Sequence, residues 1–92
     1  MAKIYISEHV ESRYNSAEEP PLAEQAFTFS ASTQSVAFHV AVGVIRVHTD
    51  SVCSIKIGEN PTATTDNKRM AANSTEYFAV RGGHKLAAVT NT

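Results

Sequence analysis

The chain has no tryptophan, one cysteine, three prolines and four glycines in 92 residues. Each shortage closes a route. A lone thiol, Cys53, forms no internal disulfide and no thiolate metal cluster within one chain. The polar stretch after Ile57 holds one glycine and lacks the GxxxxGK[ST] pattern that aims backbone N–H groups at phosphates. Charged residues make up 18% and the formal net charge is −1, which argues against a dedicated nucleic-acid binder, since phosphate neutralisation needs clustered Lys and Arg. No apolar run approaches the roughly 20 residues that span a membrane. The start MAKIYISEHV has no signal-peptide core, so a reducing cytoplasm, or something assembled there, is the expected setting. Asn73-Ser74-Thr75 fits a glycosylation acceptor, but without a secretion signal it reads as coincidence.

What is present is a period of two. KIYIS sets Ile4 and Ile6 on one face, and AFTFS does the same with Phe27 and Phe29. VAFHVAV alternates Val36, Phe38, Val40 and Val42 with Ala37, His39 and Ala41. VIRVHT and CSIKI continue the pattern with Ile45 and Val47, then Cys53, Ile55 and Ile57; EYFAV and HKLAAV complete it. Such alternation marks half-buried strands, and Val, Ile, Phe and Thr suit them. PPLAEQA holds at most one helical turn, and no window carries a stripe at 3.6-residue spacing. The expected fold is all-β: one domain over residues 1–92, a small antiparallel β-sandwich or jelly-roll-like barrel of about six to eight short strands with two long loops. A domain this small buries only about 60–65% of its unfolded-chain surface, so a partner or oligomerisation is a natural source of added stability.

Two hairpins are expected. A two-residue Gly43-Val44 turn would set Val40 against Val47 and His39 against His48; a corner between two sheets is the rival. Gly82-Gly83 would close a second hairpin, pairing Val80 with Leu86 and Phe78 with Ala88. Two segments do not read as strands. Residues 8–25 read as an acidic extended arm or a solvated loop, with five acids against one base, whereas residues 26–92 carry four acids and six bases. Residues 58–75 form a long polar loop. Loops of this length in compact domains are usually functional or disordered.

Chemistry is sparse. His9, His39, His48 and His84 show no metal-ligand spacing, and an opposed His39–His48 pair would lack a third ligand. Cys53 alternates with Ile55 and Ile57, which places it in the core as a small hydrophobe. Asp50, Glu59 and Asp66 sit at turns, where Asp is favoured for backbone reasons. Phe27, Phe29, Tyr77 and Phe78, with Lys56, Lys68, Arg69, Arg81 and Lys85, are the candidates for a single-strand nucleic-acid surface. A chain without Trp needs its four phenylalanines for the core. No cofactor, metal or catalytic residue is expected.

The blocks KIYISE, LAEQAFTFSASTQSVAF and VIRVHTDSVCSIKIGENPTATTDNKRMAANSTEYFAVRGGHKLAAV together resemble a family of small proteins encoded among the structural genes of tailed bacteriophages and prophages. The middle and C-terminal blocks are the specific part. The resemblance implies a non-enzymatic virion protein, similar to the β-sandwich cement proteins that decorate capsids. Its expected partner is the major capsid protein, and its location the phage head. It implies a homo-oligomer, a trimer by analogy with decoration at three-fold lattice points; a head–tail or tail accessory role is the alternative. Expected contact residues are Glu18, Glu19, Pro20 and Pro21 in the arm, with Asn60, Pro61, Thr62, Thr64, Lys68 and Arg69 in the loop. Pro20-Pro21 favours an extended backbone, and the two cations are available for charge pairing.

Overall fold

Alternation in the sequence becomes alternation in burial. Ile4 and Ile6 are 0% and 2% exposed, while Tyr5 between them is 39% exposed. A computed structural model describes residues 2–10 and 21–92. Its strands are β1 (Ala2–His9), β2 (Ala23–Phe29), β3 (Thr33–Gln34), β4 (Val44–Thr49), β5 (Cys53–Gly58), β6 (Lys68–Met70), β7 (Ser74–Ala79) and β8 (Lys85–Thr90). No helix occurs among the described residues. The strands form two four-stranded sheets, ordered β2-β1-β4-β7 and β3-β8-β5-β6. All pairings are antiparallel. The fold is a small β-sandwich.

One core joins the two sheets. Ile4, Ile6, Phe29, Ile45 and Val47 come from the first; Cys53, Ile55, Met70, Leu86 and Ala88 come from the second. Each fully buried large aliphatic contributes about 1.5–3 kcal/mol of transfer free energy. Leu22, Phe27, Ile57, Phe78 and Val80 extend this core at its margins. Thr49 also points inward, and its hydroxyl donates to Ser51 O at 2.7 Å. That bond offsets the cost of placing a polar group among aliphatics.

Both expected hairpins are instead crossings between sheets. Strand β4 lies between β1 and β7 in the first sheet, whereas β3 lies on β8 in the second. Residues 35–43 therefore cross one end of the sandwich, as the rival corner required. Among the described residues no strand pairs with them, so no sheet neighbour enforces a pleat. Phe38 and Val42 turn inward, while Val36 and Val40 are 73% and 87% exposed. His48 faces Tyr5 and Thr75, not His39. The Gly82-Gly83 turn likewise carries the chain from β7 to β8 in the opposite sheet. Phe78 pairs with Ile45, Leu86 with Ile57, and Ala88 with Ile55. Gly83 does take the positive φ expected of it, 84°. Gly82 is needed for a different reason: a Cβ there would lie 2.8 Å from Val40 Cα and O.

Where they are described, the two segments not read as strands hold more strand than expected. Glu8 ends the inward row of β1, and Glu24 lies within β2. Glu18, Glu19 and Pro20 lie outside the described residues. Pro21 is half-buried just ahead of β2. The polar loop is broken by β6, which pairs Met70 with Cys53, Arg69 with Ser54 and Lys68 with Ile55. Met70, fully buried, anchors it. The turn into β7 passes through Asn73 at φ 57°, a conformation Asn tolerates better than most residues.

Candidate functional site

Residues 59–67 do not project from the sandwich. They lie against the outer face of the second sheet. The Gln34 side-chain amide donates to Asn60 Oδ1 and to Pro61 O, both at 2.8 Å. Ala63 N donates to Ser32 Oγ at 2.9 Å. Asn91 Nδ2 donates to Ser54 Oγ at 2.7 Å and to Thr65 O at 3.2 Å. The segment thus runs from the β5 end, over β8, to β3, and returns to β5 as β6. Beneath it, Ser54 and Ala87 are fully buried, although both alternate away from the core. Ala63 and Pro61 are buried with them. These small residues form a second, thin layer of packing outside the main core.

Of the expected loop contacts, Asn60, Thr62, Thr64, Lys68 and Arg69 remain exposed, while Pro61 is buried. Thr64 N is held by Asn67 Oδ1 at 2.7 Å. Lys68 Nζ lies 3.7 Å from Glu76 Oε1 and 5.3 Å from the Phe78 ring centroid. Part of the surface read as free for a partner is therefore committed to the chain's own second sheet. Thr62, Thr64 and Arg69 are presented outward from a fixed backbone.

The end of the sandwich crossed by residues 35–43 presents more apolar surface. Val36, Val40 and Val10 are exposed, the last at 41%, and Ala37 and Ala41 are exposed beside them. The backbone beneath is tied down at nearly every residue. Val36 N donates to Gln25 Oε1, and Gln25 Nε2 donates to Val36 O. Phe38 N donates to His84 O, Gly83 N to Phe38 O, and Gly43 N to His9 O. His39 N donates to Glu8 Oε1 at 2.6 Å, and His39 Nδ1 accepts from Ala41 N at 2.9 Å. Glu8 is only 2% exposed and also accepts from Gln25 Nε2 at 3.4 Å. A buried carboxyl group requires such donors. Glu8 is thus the latch that fixes the crossing segment.

The outer face of the first sheet is bare by comparison. Tyr5, Arg46 and Tyr77 are exposed on it, with His48 half-buried among them. Tyr5 and His48 are cross-strand neighbours, their ring centroids 6.1 Å apart. Lys3 Nζ lies 5.2 Å from the Tyr5 ring. His48 Nδ1 is hydrogen-bonded to Thr75 Oγ1 at 2.8 Å, and its Nε2 is 3.6 Å from Asp50. A shallow depression of about 320 Å³ beside Tyr5 is lined by Ser7, Glu24, Ala26 and Arg46.

Among the described residues, no three His, Cys, Asp or Glu side chains come together in a metal-binding group. Cys53 is fully buried. Burial pushes its thiol above the usual range, against a weaker opposite pull from Thr49. A group so placed is a poor nucleophile. Phe29 is buried, and Phe27 and Phe78 pack against the core, which leaves Tyr77 alone of the four aromatics weighed for base stacking. The sequence missed Glu8, Gln25, Val36 and Val40 as a connected group. One signal was available: Glu8 continues the inward register of Ile4 and Ile6. Comparison with family models, curated proteins and solved structures finds no match to this chain.

Proposed function

We propose that this protein is a non-enzymatic virion structural protein that binds the major capsid protein and stabilises the phage head as a cement or decoration module. The observation that carries this is the pre-ordered apolar end built by Val36 and Val40. Exposed aliphatics on a segment hydrogen-bonded from several sides lose little conformational freedom on docking, which favours binding through them. Thr62, Thr64 and Arg69, on the tied-down loop, offer a second rigid surface for the same lattice. The resemblance to tailed-phage structural proteins points to the partner class and to the virion as location. A small domain that associates this way gains stability by linkage to its partner.

The test is the copy number in purified particles relative to the major capsid protein. Near-stoichiometric copies fit a lattice cement; six to a dozen would move the protein to the neck or tail; none would end the proposal. Val36→Asp with Val40→Asp should abolish particle binding and leave the fold intact. A rival from another class draws on Tyr5, Tyr77, Lys3 and Arg46 as a single-strand nucleic-acid face. Glu24 and Asp50 flank that face and weaken it. The rival requires oligonucleotide binding that falls steeply with salt.

A further inference from the structure

Among the described residues the sandwich has four edge strands, and three are guarded. In the second sheet β3 has two residues and β6 three, and β6 carries Lys68 and Arg69. In the first sheet β7 has six residues, but Lys68 lies against its Glu76 and Phe78. Short edges and edge lysines are the devices that discourage strand addition.

Strand β2 has neither. It runs seven residues, AEQAFTF, with one charge and no Pro or Lys. It pairs with β1 along its whole length, and among the described residues no strand occupies its other side. Phe27 points inward yet is only partly covered, and Ala26 and Thr28 are exposed. An added strand would close both deficits.

We propose that β2 pairs with β2 of a second copy, antiparallel about a two-fold axis at Ala26, joining two four-stranded sheets into one of eight. The argument for a second copy is self-complementarity. Ala26 is the strand's midpoint, so this axis alone gives full overlap of the strand. Glu24, the one charge, falls opposite the partner's Thr28. The two glutamates end up about four residue steps apart, roughly 13 Å, beyond the Debye length of about 8 Å at physiological salt. Phe27 falls opposite the partner's Gln25 and diagonal to the partner's Phe27. That diagonal is about 7–8 Å, within reach of aromatic side chains. The axis places two small Ala26 side chains at the centre, where a bulky pair would splay the strands. One strand pair covers less than the roughly 800 Å² per partner of a standard interface, so the dimer is weak and concentration-dependent.

The pairing uses neither Val36 nor Val40, and it stands or falls separately from the capsid proposal. Sedimentation velocity of the full chain over a wide concentration range should give a monomer–dimer equilibrium. Ala26→Lys sets two cations directly opposite at the axis and should weaken dimerisation at least roughly ten-fold, with the monomer's thermal midpoint unchanged. Ala79→Lys, on the guarded β7 edge, should leave the dimer intact. Ala26→Cys should cross-link to the partner's Ala26→Cys under mild oxidation, and Thr75→Cys should not. A monomer at every concentration, a trimer, a dimer indifferent to Ala26→Lys, or cross-linking through Thr75→Cys would each overturn the pairing.

Discussion

Ala87 and Ala79 both sit on strand positions that alternate away from the core, yet Ala87 is fully buried and Ala79 is exposed. The difference is what lies above them. Over Ala87 the chain has laid residues 59–67; nothing described lies over Ala79. The covering layer is not a hydrophobic lid. It is mostly Asn, Pro, Thr and Ala, with Glu59 and Asp66 exposed, and is held by amide and hydroxyl side chains of Gln34, Ser32 and Asn91. Small residues let two backbones approach closely, and hydrogen bonds satisfy what that approach removes from water. Among the described residues, no buried side-chain N or O atom is left without a partner. Polar composition in a long loop is thus no guarantee that the loop is free.

Five experiments probe this contrast. The largest effect should come from Ala87→Glu, which buries an uncompensated charge under the loop and should cost about 3–5 kcal/mol. Ala79→Glu, its counterpart on the bare face, should stay within about 0.5 kcal/mol. Urea unfolding measures both, and equal costs would mean that the loop does not seal the sheet.

Next is Glu8→Ala. It strands the His39 amide and the Gln25 side chain and should cost about 1–3 kcal/mol, with faster hydrogen exchange confined first to residues 36–43. Unchanged exchange there would remove Glu8 from its role as latch. Smaller again, Gln34→Ala should cost about 1 kcal/mol and release protection across residues 59–65. Thr75→Ala, which removes the His48 contact on the bare face, should cost a few tenths of that.

The smallest effect is with pH. Burial holds the Cys53 thiol above its ordinary range in the folded state. Its contribution is therefore fully present below the unfolded pKa and is lost as pH rises through the folded value. Cys53→Ala should flatten the alkaline limb of stability against pH. It should leave the neutral region no more pH-dependent than before.

Much of the fold was legible because strand alternation is a local signal. Ile4, Ile6, Ile45, Val47, Cys53 and Ile55 could be placed inside from their neighbours alone. The crossings could not. VAFHVAV alternates like a strand, but a pleat needs a neighbouring strand, and residues 36–43 have none among the described residues. Which sheet receives β4 or β8 depends on partners far away in sequence, as with Ile45 against Phe78. The candidate surface was harder still. Glu8 looked like one more acid in an acidic stretch, because its partners Gln25 and His39 lie 17 and 31 residues on. The loop's ties to Ser32 and Gln34 are hidden for the same reason.

The order of the strands also has a meaning in time. A ribosome delivers β1, β2 and β4 early, and these alone pair as three neighbours of the first sheet. The second sheet has no such head start. Among the described residues strand β3 pairs only with β8, and β5 has β8 and β6 as its neighbours. Until residues 85–90 have been made, the inner side of the first sheet, with Ile4, Ile6, Ile45 and Val47, has no finished surface to close upon. A nascent chain at that stage is half a sandwich with its apolar side open, the kind of surface that makes incomplete chains prone to aggregate. Pairings between strands so distant in sequence also place this domain among the slower folders for its size.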